Sequence, residues 1–370
     1  MSATGSLSPA VHGGQLRQIA ARFGVAADRL LDFSANINPA GPPQSALAAI
    51  QRSLDDPATL ESYPDLALSE LRQAISDYIG TAPDNIAIAN GFAPLLDAAV
   101  RSSRIKRCLL PVPSFSEYRR GLENGGVDAI PYALSPDNAF AYEIDPIQKA
   151  FLNYSCDAIL LANPQNPAGV LCDAARMQQL IEVASCCGVT VLLDEAFIDF
   201  CPGGSLTRFA VERANVIVFR SVTKFFAIPG LRVAYAAAQP SRIAAMNRHI
   251  APWPIASIAS VAACAALNER AYAEESRLAN DRRRSWLEVR LAQMQITTYP
   301  SSANFLLLRF PVDVDVNVLW ERMILDEQIV LRRCENFEEL KAGHLRIAVR
   351  SDVENERLIH GLERVLSSIG

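Results

Sequence analysis

The chain has 370 residues, half of them hydrophobic, and a formal net charge of −5 at pH 7. This length is enough for roughly two lobes around a large buried core. Because the charge balance is acidic and no run of lysines or arginines forms a dominant basic face, the composition argues against a nucleic-acid-binding protein.

Cysteine usage and the N-terminal residues indicate the expected compartment. The eight cysteines, including the adjacent pair Cys186 and Cys187, show neither Cys-x-x-Cys spacing nor the framework of a small disulfide-rich domain. We therefore expect no metal site and a reducing, cytoplasmic location. Residues 1–5 lack the basic residues and apolar core of a secretory signal. The uncharged run 250–267 contains Pro252 and Pro254 near its start, which favours a buried helix after a turn over a membrane span.

An alternation of apolar and amphipathic segments follows an opening region that is rich in glycine, asparagine and proline up to about Pro43. It continues to about residue 245 and is typical of βαβ units, so we predict a parallel sheet. The clearest predicted strands are 86–89, 108–110, 158–161, 189–193 and 216–219, and the clearest helices between them are 66–78 and 174–187.

The pattern changes from about Glu269, where a long charged helix leads to two further predicted strands at 304–308 and 344–349. These elements indicate a smaller α+β lobe. We predict a large domain over residues 45–250. The N-terminal arm, residues 1–44, and a small C-terminal domain, residues 251–370, form the remainder.

Lys224 is the residue whose setting most clearly indicates chemistry. It is one of four lysines and follows the apolar strand 216–219. Its neighbours Thr223, Phe225 and Phe226 predict partial desolvation, which lowers the pKa of an amine and makes its neutral form available for a Schiff base. Ligands of open parallel sheets collect at the carboxyl ends of the strands. We therefore expect a site around this lysine.

Polar residues at neighbouring strand ends suit pyridoxal 5'-phosphate bound to Lys224. Asp194 can hold a proton on the pyridine nitrogen, although a strand-end aspartate can equally cap the next turn. Asn166, in a segment flanked by prolines, can donate a hydrogen bond to the ring hydroxyl, although Asn-Pro is also a plain turn signal. The candidate phosphate ligands are Ser221, Thr223, Arg232 and the amides of Gly91, Phe92 and Ala93, which open a helix that we expect to begin near Pro94.

These motifs, in this order and spacing, resemble those of fold type I pyridoxal-phosphate enzymes of the aspartate aminotransferase superfamily. The resemblance covers nearly the whole chain and is strongest at residues 166–169, 194–197, 221–224 and Arg232. It implies an α/β, aspartate aminotransferase-like fold. Such a fold has a large domain with a mostly parallel seven-stranded sheet, and a smaller α+β domain.

The same resemblance implies roles for individual residues. Lys224 is then the Schiff-base lysine and Asp194 the partner of the pyridine nitrogen, and these two are the expected catalytic residues. Phe115 would stack on the cofactor ring. Tyr63 would reach the cofactor phosphate of a neighbouring subunit, which implies a homodimer. One departure is Phe197, where the family commonly has tyrosine, so a second hydrogen bond to the ring hydroxyl is absent or comes from another residue.

Within the superfamily, the two ends of the chain resemble threonine-phosphate decarboxylases more than histidinol-phosphate aminotransferases. The segments are 12–14, 32–39 and 332–337, although residue 333 is usually aspartate in that pattern. The resemblance implies decarboxylation of L-threonine O-3-phosphate to (R)-1-amino-2-propanol O-2-phosphate for cobalamin biosynthesis. It also implies that Arg346 binds the substrate carboxylate, while Arg332, His12 and Asn36 bind its phosphate or carboxylate oxygens.

Structural interpretations of these last residues stay open, because Arg346 can be a strand-end cation and His12 a residue of a flexible turn. Two other functions also stay open. A histidinol-phosphate type aminotransferase differs in holding Cα–H, rather than the carboxylate bond, perpendicular to the cofactor ring. A non-catalytic pyridoxal-phosphate sensor is disfavoured, since regulators of that kind carry a DNA-binding module and none fits before residue 12.

Residues 221–224 also fit the Ser-x-x-Lys motif of penicillin-binding enzymes. That motif acts together with Ser-Asp-Asn and Lys-Thr-Gly, and neither occurs in this sequence. The partners we expect are a small phosphorylated amino acid and a second copy of the chain, with no nucleic acid and no membrane.

Overall fold

The computed structural model describes residues 13–340 and 342–369 as helices alternating with strands. The strands are β1 (Leu31–Asp32), β2 (Ile86–Asn90), β3 (Arg107–Val112), β4 (Asp128–Ala133), β5 (Ala158–Ala162), β6 (Thr190–Asp194), β7 (Val216–Ser221), β8 (Val233–Ala237), β9 (Thr297–Thr298), β10 (Phe305–Arg309), β11 (Ile329–Val330), β12 (Arg332–Arg333) and β13 (His344–Ala348). The α-helices are α1 (Leu16–Phe23), α2 (Gln44–Leu54), α3 (Ala58–Glu61), α4 (Ser69–Ile79), α5 (Phe92–Ser103), α6 (Ser116–Asn124), α7 (Ile144–Tyr154), α8 (Ala174–Cys186), α9 (Thr207–Ala210), α10 (Pro240–Asn247), α11 (Ser257–Leu267), α12 (Arg270–Gln293), α13 (Val316–Leu325) and α14 (Asp352–Ile369).

A seven-stranded sheet forms the centre of the larger lobe, in the order β2-β8-β7-β6-β5-β3-β4. The neighbouring pairs from β7 to β4 are parallel, and β8 runs antiparallel to both of its neighbours. Every residue of β5, β6 and β7 is buried, as expected for strands that helices cover on both faces. The predicted mostly parallel sheet is therefore confirmed.

Two predicted helix starts differ from the structure. The helix predicted from residue 66 begins at Ser69, because the Asp65 carboxylate accepts the N–H groups of Ala67 and Ser69 and so forms a turn before the helix. The helix expected to begin near Pro94 begins at Phe92 instead. The edge strand β4 was not among the clear predictions, since its burial alternates and its apolar pattern is weak.

The smaller lobe contains an antiparallel sheet in the order β12-β13-β10-β9, together with the parallel pair β1-β11. The N-terminal arm connects this lobe to the central sheet. The Phe33 N–H donates to the Val330 carbonyl at 2.9 Å, and the Asn38 N–H donates to the Lys224 carbonyl at 3.0 Å. The smaller lobe therefore has one edge close to the strand ends of the larger sheet. The division at residues 44/45 and 250/251 remains a prediction.

The uncharged run 250–267 forms a turn followed by α11, which packs against α2 and α4. Across residues 13–340 and 342–369, no helix is both long enough and apolar enough to cross a membrane. The same residues hold no cluster of three or more histidine, cysteine or acidic side chains that could bind a metal ion. All eight cysteines are free thiols.

Candidate active site

A cavity of about 620 Å³ lies where β2, β6 and β7 end, between the central sheet and the smaller lobe. Most of the predicted site residues line this cavity. They are Asn36, Gly91, Phe92, Phe115, Asn166, Asp194, Ser221, Thr223, Lys224, Arg232, Arg332 and Arg346. Ala93 and Tyr63 do not line it. His12 lies outside the described residues.

Lys224 follows β7 and points its amine into the cavity, where Nζ lies 3.3 Å from Ser221 Oγ. Burial lowers the pKa of Lys224, the Asp194 carboxylate opposes that shift, and the positive charge of Arg232 adds to it. The ring of Phe197 lies 5.9 Å from Nζ and provides an apolar wall. The surroundings therefore favour a neutral amine, which is the reactive form.

Asp194 ends β6 with both carboxylate oxygens fixed by donors. The Tyr118 hydroxyl donates to Oδ2 at 2.5 Å, and the Ala196 N–H donates to Oδ1 at 2.8 Å. Burial raises the pKa of Asp194, while the Tyr118 hydrogen bond and the Lys224 charge oppose the rise. Sequence reasoning missed Tyr118, whose one signal is its position a helical turn after Phe115 on α6.

Gly91 and Arg232 form the corner of the cavity that suits a phosphate. Gly91 precedes α5 with φ of +90°, and a Cβ atom there would lie 2.8 Å from Arg232 Nη2. Glycine therefore serves both the backbone conformation and the close approach of the guanidinium. Ser221 Oγ and Thr223 Oγ1 lie 2.6 Å apart beside them. Two hydroxyls, one cation and a helix N-terminus are the donor set that binds phosphate groups.

Asn166 is oriented by a residue of the smaller lobe. Arg346 Nη1 donates to Asn166 Oδ1 at 2.6 Å, so the amide oxygen is occupied and the amide nitrogen points elsewhere. The loop is held in place by Gln165, whose Nε2 donates to the Pro113 carbonyl at 2.7 Å. Asn166 can therefore present an N–H donor to a ligand in the cavity.

Arg332 and Arg346 are both buried and lie opposite each other in the pairing of β12 with β13. The ring of Phe337 lies 5.4 Å from Arg332 Cζ and 5.8 Å from Arg346 Cζ. Burial, and then the nearby charge of Arg332, lowers the pKa of Arg346 to about 10. Arg346 Nε is buried and has no hydrogen-bond acceptor within the described residues. Two adjacent buried guanidinium groups favour an anionic ligand.

Asn36 brings the N-terminal arm into the cavity wall. Its side chain is buried, and its Oδ1 atom has no donor in the part of the chain that the structure describes. The arm is held nearby by Ser34, whose hydroxyl accepts the Gly14 N–H at 2.9 Å. An unsatisfied buried carbonyl oxygen is costly, so Asn36 Oδ1 is an available acceptor for an N–H or O–H group of a ligand.

The wall contains further residues that sequence reasoning did not assign to the site, among them Glu117 and Phe337. Phe337 belongs to the segment 332–337, and Glu117 lies two residues after Phe115. Neither position in the sequence indicates a function. Tyr63 lies elsewhere: it is 79% exposed and stacks on Trp253 with 4.5 Å between ring centroids. Its predicted role in a neighbouring subunit remains a prediction.

The side chains of the cavity fit pyridoxal 5'-phosphate as a set. An amine with a lowered pKa suits its aldehyde, and the Asp194 carboxylate suits its ring nitrogen. Asn166 suits the ring hydroxyl, and the corner formed by Gly91 and Arg232 suits the phosphate. Phe115 lies in the wall and offers an aromatic face to a planar ring.

Comparison with known proteins gives matches over almost the full chain. The profile of the aminotransferase class I and II family matches residues 28–365. The chain is 33% identical to the threonine-phosphate decarboxylase of Salmonella typhimurium, over 98% of this chain and 99% of that protein. Among solved structures, the histidinol-phosphate aminotransferase of Clostridium acetobutylicum has a TM-score of 0.84 at 29% identity, covering 92% of this chain and 100% of its own.

A further solved structure shares the fold at lower identity. The histidinol-phosphate aminotransferase of Sinorhizobium meliloti, solved in complex with pyridoxal-5'-phosphate, has a TM-score of 0.85 at 22% identity and covers 100% of both chains. The expected aspartate aminotransferase-like fold is therefore confirmed.

Proposed function

Because this chain belongs to the aminotransferase class I and II family, we propose that it decarboxylates L-threonine O-3-phosphate to (R)-1-amino-2-propanol O-2-phosphate for cobalamin biosynthesis. Its cofactor is pyridoxal 5'-phosphate, and it is an enzyme of the fold type I pyridoxal-phosphate class. The substrate is a small molecule, in keeping with the size of the cavity.

The observation that carries this proposal is the buried pair Arg332 and Arg346 in the lining of the cavity. A phosphorylated amino acid has two anionic groups, a carboxylate and a phosphate, and a guanidinium fork binds either one. With a pKa of about 10, Arg346 remains charged at neutral pH. We assign the carboxylate to Arg346 and the phosphate to Arg332, assisted by the amide N–H groups of Asn36. The 33% identity to the Salmonella typhimurium decarboxylase supports threonine phosphate within this class.

When bound, pyridoxal phosphate supplies an electron sink for the pair left on the substrate Cα after carbon dioxide departs. Lys224 would hold the cofactor through its Nζ at rest. Once the substrate amine has displaced it, Lys224 would carry a proton as its ammonium form, deliver that proton to Cα and return to the neutral amine. Asp194 stays ionised and holds a proton on the ring nitrogen. Arg346 orients the substrate carboxylate. Phe115 and Phe197 line the cavity with apolar surface and would exclude water from the reacting atoms.

The second candidate function is amino transfer of the histidinol-phosphate type. It is favoured by the match to the aminotransferase of Clostridium acetobutylicum, at 29% identity over 100% of that chain. Both reactions begin with the same binding by Lys224, Asp194 and the arginine pair. They differ in which bond to Cα is held perpendicular to the cofactor ring.

We also propose a homodimer in which Tyr63 reaches the cofactor phosphate of the neighbouring subunit. Enzymes of this fold type are typically dimers. Large apolar side chains are exposed on and around the segment that carries this tyrosine, which supports a covered surface there. They are Leu54, Leu60, Tyr63, Leu66 and Trp253. The cytoplasmic location remains a prediction.

The proposal is tested by incubating the cofactor-loaded protein with L-threonine O-3-phosphate in the absence of any keto acid. We expect repeated turnover that releases carbon dioxide and aminopropanol phosphate in equal amounts. The Lys224→Ala variant serves as the blank. Amino transfer from histidinol phosphate to 2-oxoglutarate, with no release of carbon dioxide from threonine phosphate, would instead assign the chain to the aminotransferases.

A further inference from the structure

Tyr118 is tied to the carboxylate that the proposed function places at the ring nitrogen of the cofactor. Its hydroxyl donates to Asp194 Oδ2 at 2.5 Å, and its side chain is only 2% exposed. Among the described residues, no other side chain donates a hydrogen bond to Asp194. The ring is held between Phe92, at 5.4 Å between centroids, and Phe115, at 5.7 Å. The hydroxyl therefore has a fixed position.

The direction of this hydrogen bond is also fixed. Burial and the adjacent Asp194 charge raise the pKa of Tyr118 well above its usual value, so the phenol keeps its proton and acts as the donor. Asp194 Oδ2 is then the acceptor, and a donor to a carboxylate favours its ionised form. Burial acts in the opposite sense and raises the pKa of Asp194. Tyr118 counteracts this effect of burial on the acid.

We propose that Tyr118 is a positioning residue that keeps the shared proton on the ring nitrogen of the cofactor by donating its hydroxyl hydrogen bond to Asp194. The inference rests on the proposed function, since it needs Asp194 at that nitrogen. One proton is shared between Asp194 and the nitrogen. Without the phenol, the buried carboxylate takes this proton, and the ring loses the positive charge that makes it a strong electron sink. No atom of Tyr118 contacts the substrate in this account.

The test loads the enzyme with pyridoxal phosphate labelled with nitrogen-15 and measures the chemical shift of the ring nitrogen. In Tyr118→Phe we expect the resonance to move from the protonated towards the unprotonated position. We also expect kcat to fall about ten- to hundredfold with little change in KM, as for the loss of a hydrogen bond to a charged group. The cofactor stays bound, since Lys224 and the phosphate corner are unchanged.

Tyr142→Phe is the matched control. Tyr142 is also buried, but its hydroxyl donates at 2.7 Å to the Ala162 carbonyl instead of to Asp194. We expect this variant to keep the ring-nitrogen shift of the unmodified enzyme, with an unchanged kcat. An unchanged shift in Tyr118→Phe, or equal effects in both variants, would overturn the inference.

A second replacement covers the case in which Tyr118→Phe does not fold. 3-Fluorotyrosine at position 118 keeps the ring volume and makes the hydroxyl a stronger donor, which lowers the basicity of Asp194, so we expect the ring-nitrogen resonance to stay at the protonated position or to move further towards it. A resonance that moves towards the unprotonated position in this variant would overturn the inference. Failure of the unmodified protein to bind the cofactor would instead refute the proposed function, so the two failures are distinguishable.

Discussion

Arg119 on α6 forms a two-pronged ion pair with Glu338 in the smaller lobe, with Nε–Oε2 and Nη2–Oε1 distances of 2.9 Å. The two residues are 219 positions apart in the sequence. Glu338 follows Phe337, whose ring contacts both cavity arginines, and Arg119 follows Tyr118, which binds Asp194. The ion pair therefore joins the segment next to the two cavity arginines to the helix that carries Tyr118.

Removing this link should weaken substrate binding without changing the chemical step. In Glu338→Gln we expect KM for threonine phosphate to rise about two- to fivefold at unchanged kcat, because partly exposed ion pairs contribute little. The matched control is Glu123→Gln, which removes a 3.6 Å ion pair of the same arginine within α6. Initial-rate measurements should give this control the KM and kcat of the unmodified enzyme. A larger rise in KM in Glu123→Gln than in Glu338→Gln would contradict this, because the effect on substrate binding would then come from the ion pair within α6.

Lysine, which keeps the positive charge but not the planar guanidinium group, should not substitute for Arg332 or Arg346. For Arg346→Lys and for Arg332→Lys we expect kcat/KM to fall about ten- to hundredfold, since each loses fixed hydrogen bonds to an anion. Arg333→Lys is the control, because Arg333 lies next on β12 but contacts Asn317 and does not line the cavity. Steady-state kinetics measures kcat/KM for all three variants. Equal activity in the three would contradict the assignment of the arginine pair to substrate.

Gly91→Ala should weaken the binding of the cofactor phosphate. The new Cβ atom would meet Arg232 Nη2 at 2.8 Å, so we expect the apoprotein to lose affinity for pyridoxal phosphate by about tenfold or more. Gly203→Ala is the control, since Gly203 also has a positive φ of +77° but has open space around it. Titration of both apoproteins with the cofactor separates the clash from backbone strain. Equal affinities of the two variants for pyridoxal phosphate would contradict a phosphate site at Gly91 and Arg232.

The pH dependence of cofactor capture should reflect the lowered pKa of Lys224. Only the neutral amine attacks an aldehyde, so the association rate should rise with pH and level off below the pKa of an ordinary lysine. Arg232→Gln removes a positive charge that lowers this pKa, and should move the inflection to higher pH. Stopped-flow mixing across a pH series measures the inflection. A midpoint at the value of a solvated lysine would contradict the account.

Local patterns in the sequence are enough to predict the parts of the site that lie at strand ends. Asp194 ends β6 and Lys224 lies just beyond β7, and the parallel arrangement of these strands brings them to one edge of the sheet. Tyr118 and Phe337 escape prediction because their contacts join distant parts of the chain, and their local patterns are those of ordinary core residues. Tyr63 shows a different limit, since its predicted contact requires a second copy of the chain.

The fate of a deuterium atom on the substrate Cα tests the central claim most directly. If the enzyme breaks the bond to the carboxylate, aminopropanol phosphate formed from Cα-deuterated threonine phosphate in ordinary water should retain the full label, as measured by mass spectrometry. An enzyme that removes the Cα hydrogen instead would lose the label to solvent and form a keto product. Complete retention with release of carbon dioxide is the result predicted here, and loss of deuterium without release of carbon dioxide would contradict it.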